Sequence, residues 1–520
     1  MSLPAAAPET SASSPHKVVN RGSHASAVLA VCCLAQLMVV LDVSVVMVAL
    51  PQMRHDLHLS VTGQQWVVNA YTLTFAGFLM LGGRAADLFG RRRIFLLGLG
   101  LFTLCSLIGG LAQNGDWLIA ARAAQGLGGA VLAPATLSLL TTNFPDADER
   151  RRALGAWSAT AASGAAIGVL LGGLLTSALD WRWVLFVNVP IGAVLMVVTA
   201  LAINESKGAA AARSLDLAGA LTVTGGLAVL VYGIVGTDSH AWGSAPTVLA
   251  LGIGAALLVA SVVIETRVAA PLVPMSVFRR RSLSTANVIA MALGTALFGL
   301  YFFLSLYIQQ VNGFSPLRGG LAYLPAGLAT LSGALAGTRL VTRLGPRRQL
   351  VLGPTLAAVG LLWLTTLTPG DSYWAHIFGP LVLAGAGFGL SFVPMTMVAT
   401  AGLPPNQAGL AAGLINTTRQ IGGAVGLAAM ATVAANAVVH HTTNAKVMAS
   451  QLTTGYDRAF LIGACALGAA ALFALLLPRL RPAALGTAVA AVTARATGAG
   501  TPETIDLRDG RDARLSPSGA

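Results

Sequence analysis

The sequence predicts an all-α, polytopic membrane protein whose fourteen transmembrane helices form two six-helix pseudo-repeat bundles with a helix pair inserted between them. Three observations carry that expectation. The chain of 520 residues is 55% hydrophobic and only 10% charged, a balance that a water-soluble globule of this length does not have. Its apolar residues fall into runs of about 20, the length that crosses roughly 30 Å of hydrocarbon at 1.5 Å per residue. A short glycine and arginine segment also occurs twice, once in each half.

With no water to satisfy peptide groups, every apolar run is expected to be helical. The runs lie near 25–50, 64–84, 94–113, 117–141, 153–177, 183–203, 216–236, 246–266, 286–310, 319–341, 349–368, 376–402, 408–437 and 459–478. Residues 24–203 then make the first bundle, 216–266 the inserted pair and 286–478 the second bundle. Residues 1–23, rich in Ala, Ser and Pro, and 479–520, rich in Ala, Thr, Gly and Pro, hold no apolar period and read as disordered tails. Lys17 and Arg21 ahead of the first run imitate a secretion signal, but its length, its internal Asp and the spans that follow mark a retained helix.

The basic residues set the orientation. With the N-terminus in the cytoplasm, the inner loops collect Arg91–Arg93, Arg150–Arg152, Arg279–Arg281, Arg347 and Arg348, while the outer side holds only Arg54, Arg182, Arg318, Lys446 and Arg458. Both termini are therefore placed in the cytoplasm and the chain in the cytoplasmic membrane. The net charge of +13 is mostly this topology signal, so no nucleic-acid partner is expected. Cys32, Cys33, Cys105 and Cys465 all fall in apolar runs, where they behave as small apolar residues rather than as a disulfide framework or metal site.

The first span carries Leu41-Asp42-Val43-Ser44, a lone carboxylate inside an apolar run. A charge at that depth costs roughly 2.5–3.5 kcal/mol on insertion scales and normally faces a protein interior or a watery cavity. The bland alternative is a helix cap or a neutralising partner. The second span opens with Gln64-Gln65-Trp66 and holds Asn69; Trp66 reads as an interfacial anchor, and Asn69 as either an anchor-level polar group or a cavity lining. At its inner end comes Gly83-Arg84-Ala85-Ala86-Asp87-Leu88-Phe89-Gly90-Arg91-Arg92-Arg93. Gly90 admits a turn closed to other residues, Asp87 can pair with an Arg or a helix N-terminus, and the arginines alone read as a topology clamp.

The fourth span contains Arg122 in Arg122-Ala123-Ala124-Gln125-Gly126, at a depth similar to that of Asp42. A buried carboxylate favours its charged form beside a guanidinium and its neutral form when left alone, which is the physics a proton-driven switch needs. Gly164, Gly168 and Gly172 at four-residue spacing, then Gly173, give span five a bare ridge suited to close helix approach. Asn188-Val189-Pro190 opens the polar part of span six. In the second half, Gly337 to Arg348 repeats the earlier loop with Gly345 matching Gly90, and span thirteen carries Asn416 and Arg419.

Taken as a set and in this order, these segments resemble the fourteen-spanner drug:proton antiporters of the major facilitator superfamily, over nearly the whole chain apart from its tails. The resemblance implies alternating access. It places the family's coupling acid on Asp42, its proton-relay arginine on Arg122, and its gating loop on Gly83, Asp87, Gly90, Arg91 and Arg92, with Asp87 and Arg91 as the lock. One position departs: the span-five motif usually reads Gly-Pro ahead of the paired glycines, and here Gly168 is followed by Val169.

The expected function is export of a lipophilic small molecule, such as a drug or antibiotic, against an inward proton gradient, with no cofactor and no required oligomer. Asn69, Gln125, Asn188, Asn416 and Arg419 are the candidate substrate-cavity residues. Two other classes stay open. A solute:proton symporter on the same fold would be marked by stacked polar or aromatic residues in the spans, and a membrane enzyme by paired carboxylates or a mid-span His, and none of the eight histidines lies mid-span. Asp42 is also expected to be the one acid well inside a span, with Arg122 and Arg419 the only deep bases, so dicationic substrates are disfavoured.

Overall fold

The structure, a computed structural model, describes residues 21–144, 146–206, 216–238, 240–268, 271, 273–401, 403, 405–437 and 444–477. The expected tails lie outside it, apart from Arg21 to Ser23, which already belong to the first helix. The described residues are helical throughout, with no strand. Eleven helices are long and apolar enough to cross a membrane, so the chain is a multi-pass membrane protein.

The first group comprises α1 (Arg21–Asp56), α2 (Val61–Phe89), α3 (Arg91–Gly110), α4 (Gly115–Asn143), α5 (Ala147–Ala178), the short α6 (Trp183–Phe186) and α7 (Asn188–Ala202). Pro190 has no N–H to offer the Phe186 carbonyl, and the helix is interrupted there. Then come α8 (Leu217–Val235) and α9 (Ala245–Arg267), which pack on each other. The second group comprises α10 (Arg281–Leu306), α11 (Pro316–Ala322), α12 (Leu324–Leu364), α13 (Phe378–Thr400), α14 (Pro405–Ala435) and α15 (Ala445–Leu475). Helix α12 is two helices joined across Gly345, whose φ of 76° and ψ of 158° are not helical. Gly90, at φ 109°, makes the corresponding corner between α2 and α3, so both glycines of the repeated segment hold backbone conformations that side chains resist.

Within the first group α1 packs on α5, α2 on α4, and α3 on α4 and α7. Within the second, α12 packs on α13 and α15, and α10 on α14 and α15. The pair α8 and α9 reaches the rest through α8, which leans on α2 and α14. Glycines make the tightest approaches. A Cβ on Gly164 would meet Val40, one on Gly168 would lie 2.8 Å from Ser44 Cβ, and one on Gly172 would lie 2.9 Å from the Val45 backbone. Three glycines of the ridge thus face α1, while Gly173 faces Pro316 and Leu317 of α11.

The two groups are tied at the end that carries Trp181. Ser305 Oγ donates to the Met47 carbonyl at 3.1 Å, Gln309 Nε2 donates to the Val48 carbonyl at 3.0 Å, and the Leu317 N–H donates to Ser177 Oγ at 2.9 Å. Pro51 lies inside α1 four residues after Met47. It has no N–H, so the Met47 carbonyl has no intrahelical partner, and Ser305 supplies one.

Candidate functional site

Asp42 lies in the interior of α1, and its side chain is 0% exposed. Four other helices close around it. Arg122 of α4, 2% exposed, donates from Nη1 to Asp42 Oδ2 at 2.5 Å and to Gln125 Oε1 at 2.7 Å. Its Nε donates to the Val67 carbonyl of α2 at 3.3 Å, and its guanidinium carbon stands 4.3 Å from the centre of the Tyr71 ring. The planar fork thus spends its donors on a carboxylate, an amide and a backbone carbonyl while stacking on an aromatic face, a combination lysine cannot reproduce.

The other carboxylate oxygen is held by two carboxamides. Gln125 Nε2 donates to Asp42 Oδ1 at 2.8 Å, and Asn188 Nδ2 of α7 donates to it at 3.1 Å. Both amides also donate to Ser106 Oγ of α3, at 2.7 Å and 2.9 Å. Gln125 and Asn188, grouped on sequence with a substrate cavity, are therefore placed on the acid itself and are buried with it. Ser106 had no sequence signal, being one of two hydroxyls, with Thr103, in an otherwise apolar stretch of α3. The glycines after Gln125 bring the helices this close: Gly126 packs against Tyr71 and Thr74 of α2, and Gly128 lies against Phe102 of α3.

The remaining candidates are not hydrogen-bonded to this centre. Asn69 of α2 is fully buried, and neither of its side-chain polar atoms has a partner; Gln64 is in the same condition. Trp66 is half-buried and lines a cavity of about 300 Å³ with Leu73, Thr74, Ile119 and Thr224, between α2, α4 and α8. On α14, Arg419 Nη2 donates to Asn416 Oδ1 at 2.7 Å, with the Phe392 ring 5.5 Å away. Among the described residues no carboxylate lies within ion-pair distance of Arg419.

At the Gly90 end, Arg91 Nη2 donates to Asp87 Oδ1 at 3.2 Å and Nη1 to Thr142 Oγ1 of α4 at 2.5 Å. Gly83 lies 3.5 Å from Pro134 by the Cβ it lacks. Arg92 Nη2 donates to the Ala200 carbonyl at 2.5 Å. An unexpected member joins this loop: Glu205, just past α7, accepts from the backbone N–H groups of Arg92 at 3.2 Å and Arg93 at 3.1 Å. It caps α3 with a carboxylate, as a helix N-terminus favours. A lone acid after a span, opposite an arginine-rich loop, was the available clue.

The acid census also changes. Helix α15 starts at Ala445, well ahead of the expected span, so Asp457 stands inside a membrane-length helix with Oδ1 buried and unpartnered. The residues just ahead of 459 are polar enough that hydropathy starts the span there and leaves Asp457 out.

Residues 32–427 match the Major Facilitator Superfamily. The chain belongs to that superfamily. It is 44% identical over 420 residues to the cephamycin export protein CmcT of Amycolatopsis lactamdurans, covering 80% of this chain and 86% of that one. It is 41% identical over 438 residues to the puromycin resistance protein pur8 of Streptomyces alboniger, covering 82% and 87%. Its fold also matches a bacterial homologue of the human lysosomal transporter Spinster, solved inward-facing and unoccupied, with a TM-score of 0.63 at 18% identity over 87% of this chain and 97% of that one. As a superfamily member the protein is a membrane transporter rather than an enzyme.

Proposed function

We propose that the protein is a proton-coupled antiporter that exports lipophilic small molecules of the antibiotic class across the cytoplasmic membrane by alternating access. The observation that carries this reading is the sealed Asp42 and Arg122 pair in a chain whose relatives at 44% and 41% identity are named for antibiotic export and resistance. In a low-dielectric interior the two charges hold one another, and proton binding at the carboxylate dissolves that pair. A group whose interactions change so much with one proton suits the coupling of proton entry to a conformational cycle.

On this reading Asp42 and Arg122 couple the proton. Gly83, Asp87, Gly90, Arg91 and Arg92 form the gate, and Gly164, Gly168, Gly172 and Gly173 form the ridge on which α5 rides against α1. Asn69, Asn416 and Arg419 face the substrate, and Gln125 and Asn188 set the state of the acid. Fourteen spans are proposed: α12 bends at Gly345 into two helices, and α5 and α14 are long enough to cross although their polar stretches keep them off the eleven most apolar. Residues 24–203 and 286–478 are the two bundles, 216–266 the inserted pair, and both termini are cytoplasmic.

The test is uptake into everted vesicles of a panel including puromycin, a cephamycin and methylenomycin A, with and without an imposed pH gradient. Gradient-dependent accumulation that Asp42→Asn abolishes is expected. Undiminished transport by Asp42→Asn would overturn the coupling role, and solute loss from the vesicles under the same gradient would favour symport.

A further inference from the structure

The Asn188 side chain is fully buried, yet only half of its amide is used. Nδ2 donates to Asp42 Oδ1 and to Ser106 Oγ, whereas Oδ1 is buried without a partner. With Asp42 ionised the orientation is forced, because a carboxylate only accepts and must face the N–H side of a carboxamide. An unpartnered buried carbonyl on an amide that already bonds the acid calls for an explanation.

We infer that Asn188 is the positioning residue that lets the site hold Asp42 in both protonation states, by turning its amide over when the acid takes a proton. A proton from the aqueous phase adds to a carboxylate oxygen, giving a neutral acid whose new O–H must donate to something. Arg122 has no acceptor to offer and remains a donor set. Gln125 presents its Nε2 to Asp42 and its carbonyl to Arg122, so turning it over would cost the Arg122 bond. Of the two amides at the acid, Asn188 is the one whose carbonyl is buried without a partner, and a half-turn of that amide brings the oxygen to the place now held by Nδ2. There it accepts the Asp42 O–H, and Ser106, whose hydroxyl now accepts from Asn188, rotates to donate to the same carbonyl while still accepting from Gln125. One end of the amide lacks a partner in each orientation, so neither state is stranded by a penalty that the other escapes. When the proton leaves, the amide turns back and the N–H faces the carboxylate again.

The charged or titratable groups around Asp42 are Arg122 of α4 and Tyr71 of α2, whose ring lies against the guanidinium. From α3 and α7 the acid's environment is supplied by the neutral Ser106 and Asn188. The response therefore belongs to Asp42 and is read by an uncharged side chain.

This inference rests on the coupling role of Asp42, and the experiment separates the two. Infrared difference spectra of the full-length protein in lipid, recorded between alkaline and acidic buffer, identify the Asp42 acid band as the one that Asp42→Asn removes. In Asn188→Leu that band is expected to move to the position of an acid with a weaker hydrogen bond. In wild-type protein carrying carbon-13 in its asparagine carboxamides, one amide carbonyl band is expected to shift in step with the Asp42 band, a readout that needs no substitution at 188. An Asp42 band unmoved in Asn188→Leu, or no asparagine carbonyl moving with it in labelled wild type, overturns the inference and leaves the coupling role standing. No band lost in Asp42→Asn overturns the coupling role, and the inference with it.

Discussion

Removing one member of the central ion pair should damage the protein far more than removing both. Arg122→Gln leaves a carboxylate that is 0% exposed with only the neutral donors Gln125 and Asn188. Stranding a buried charge in this way costs about 3–5 kcal/mol. Asp42→Asn strands the cation instead, but Arg122 keeps the Gln125 and Val67 oxygens and the face of Tyr71. A desolvated cation on an aromatic face retains about 2 kcal/mol, which places this variant at the lower end of that range. The double variant contains no ion at all, and its two amides can bond to one another and to Ser106, so its loss should stay within about 1–2 kcal/mol. The cycle therefore predicts strong positive coupling, read as thermal midpoints of the purified proteins in one detergent: two low values for the single variants and a near-normal value for the double. Everted vesicles should show no gradient-driven transport in any of the three. Additive losses in the double variant would refute the energetic argument, and restored transport in it would refute the switch.

Other outcomes follow from single features. Gly172→Leu should force α1 and α5 apart, because even a Cβ would lie 2.9 Å from the Val45 backbone; a loss of about 1–3 kcal/mol and impaired transport are expected, and a wild-type midpoint would show that the ridge yields. Asp87→Asn removes an ion pair whose acid is 54% exposed and worth under about 1 kcal/mol, so turnover in vesicles should fall while the range of accepted compounds stays the same. Glu205→Gln weakens the cap of α3 by about 0.5–2 kcal/mol, and faster protease cleavage between Gly90 and Arg93 is the measurement. Dicationic dyes should be poorer substrates than neutral or acidic aromatics, because Arg419 has no acidic partner among the described residues; robust protection of a sensitive host against the dyes alone would contradict this, with Asp457 the first residue to suspect.

What could be read from the sequence was whatever the membrane makes expensive. Asp42 and Arg122 stand out because charge is rare in apolar runs, and their depths agree because residue count along a helix measures depth. Gly90 and Gly345 stand out because the same short segment recurs, and both prove to hold positive φ. The grouping of Gln125, Asn188 and Ser106 was not legible. It depends on how α3, α4 and α7 are rotated about their own axes, and uniformly apolar helices carry little periodic signal to fix that rotation. Glu205 was hidden for a different reason, since apart from Arg93 its partners are backbone N–H groups that every sequence has. Asp457 was lost to a boundary: hydropathy falls before residue 459, but the helix continues to Ala445.

The tie at the Trp181 end is made to backbone. Because Pro51 frees the Met47 carbonyl, Ser305 grips a group that no substitution at position 47 can delete. Sequence drift should therefore be cheap at residues 47 and 48, where any apolar side chain preserves the acceptor, and dear at the two positions, 51 and 305, that free the carbonyl and fill it. A lineage that replaced Pro51 would give the carbonyl back to its own helix, and selection on the hydroxyl at 305 would then relax. Residues 51 and 305 should drift or persist together, a covariation written by the hydrogen that Pro51 lacks.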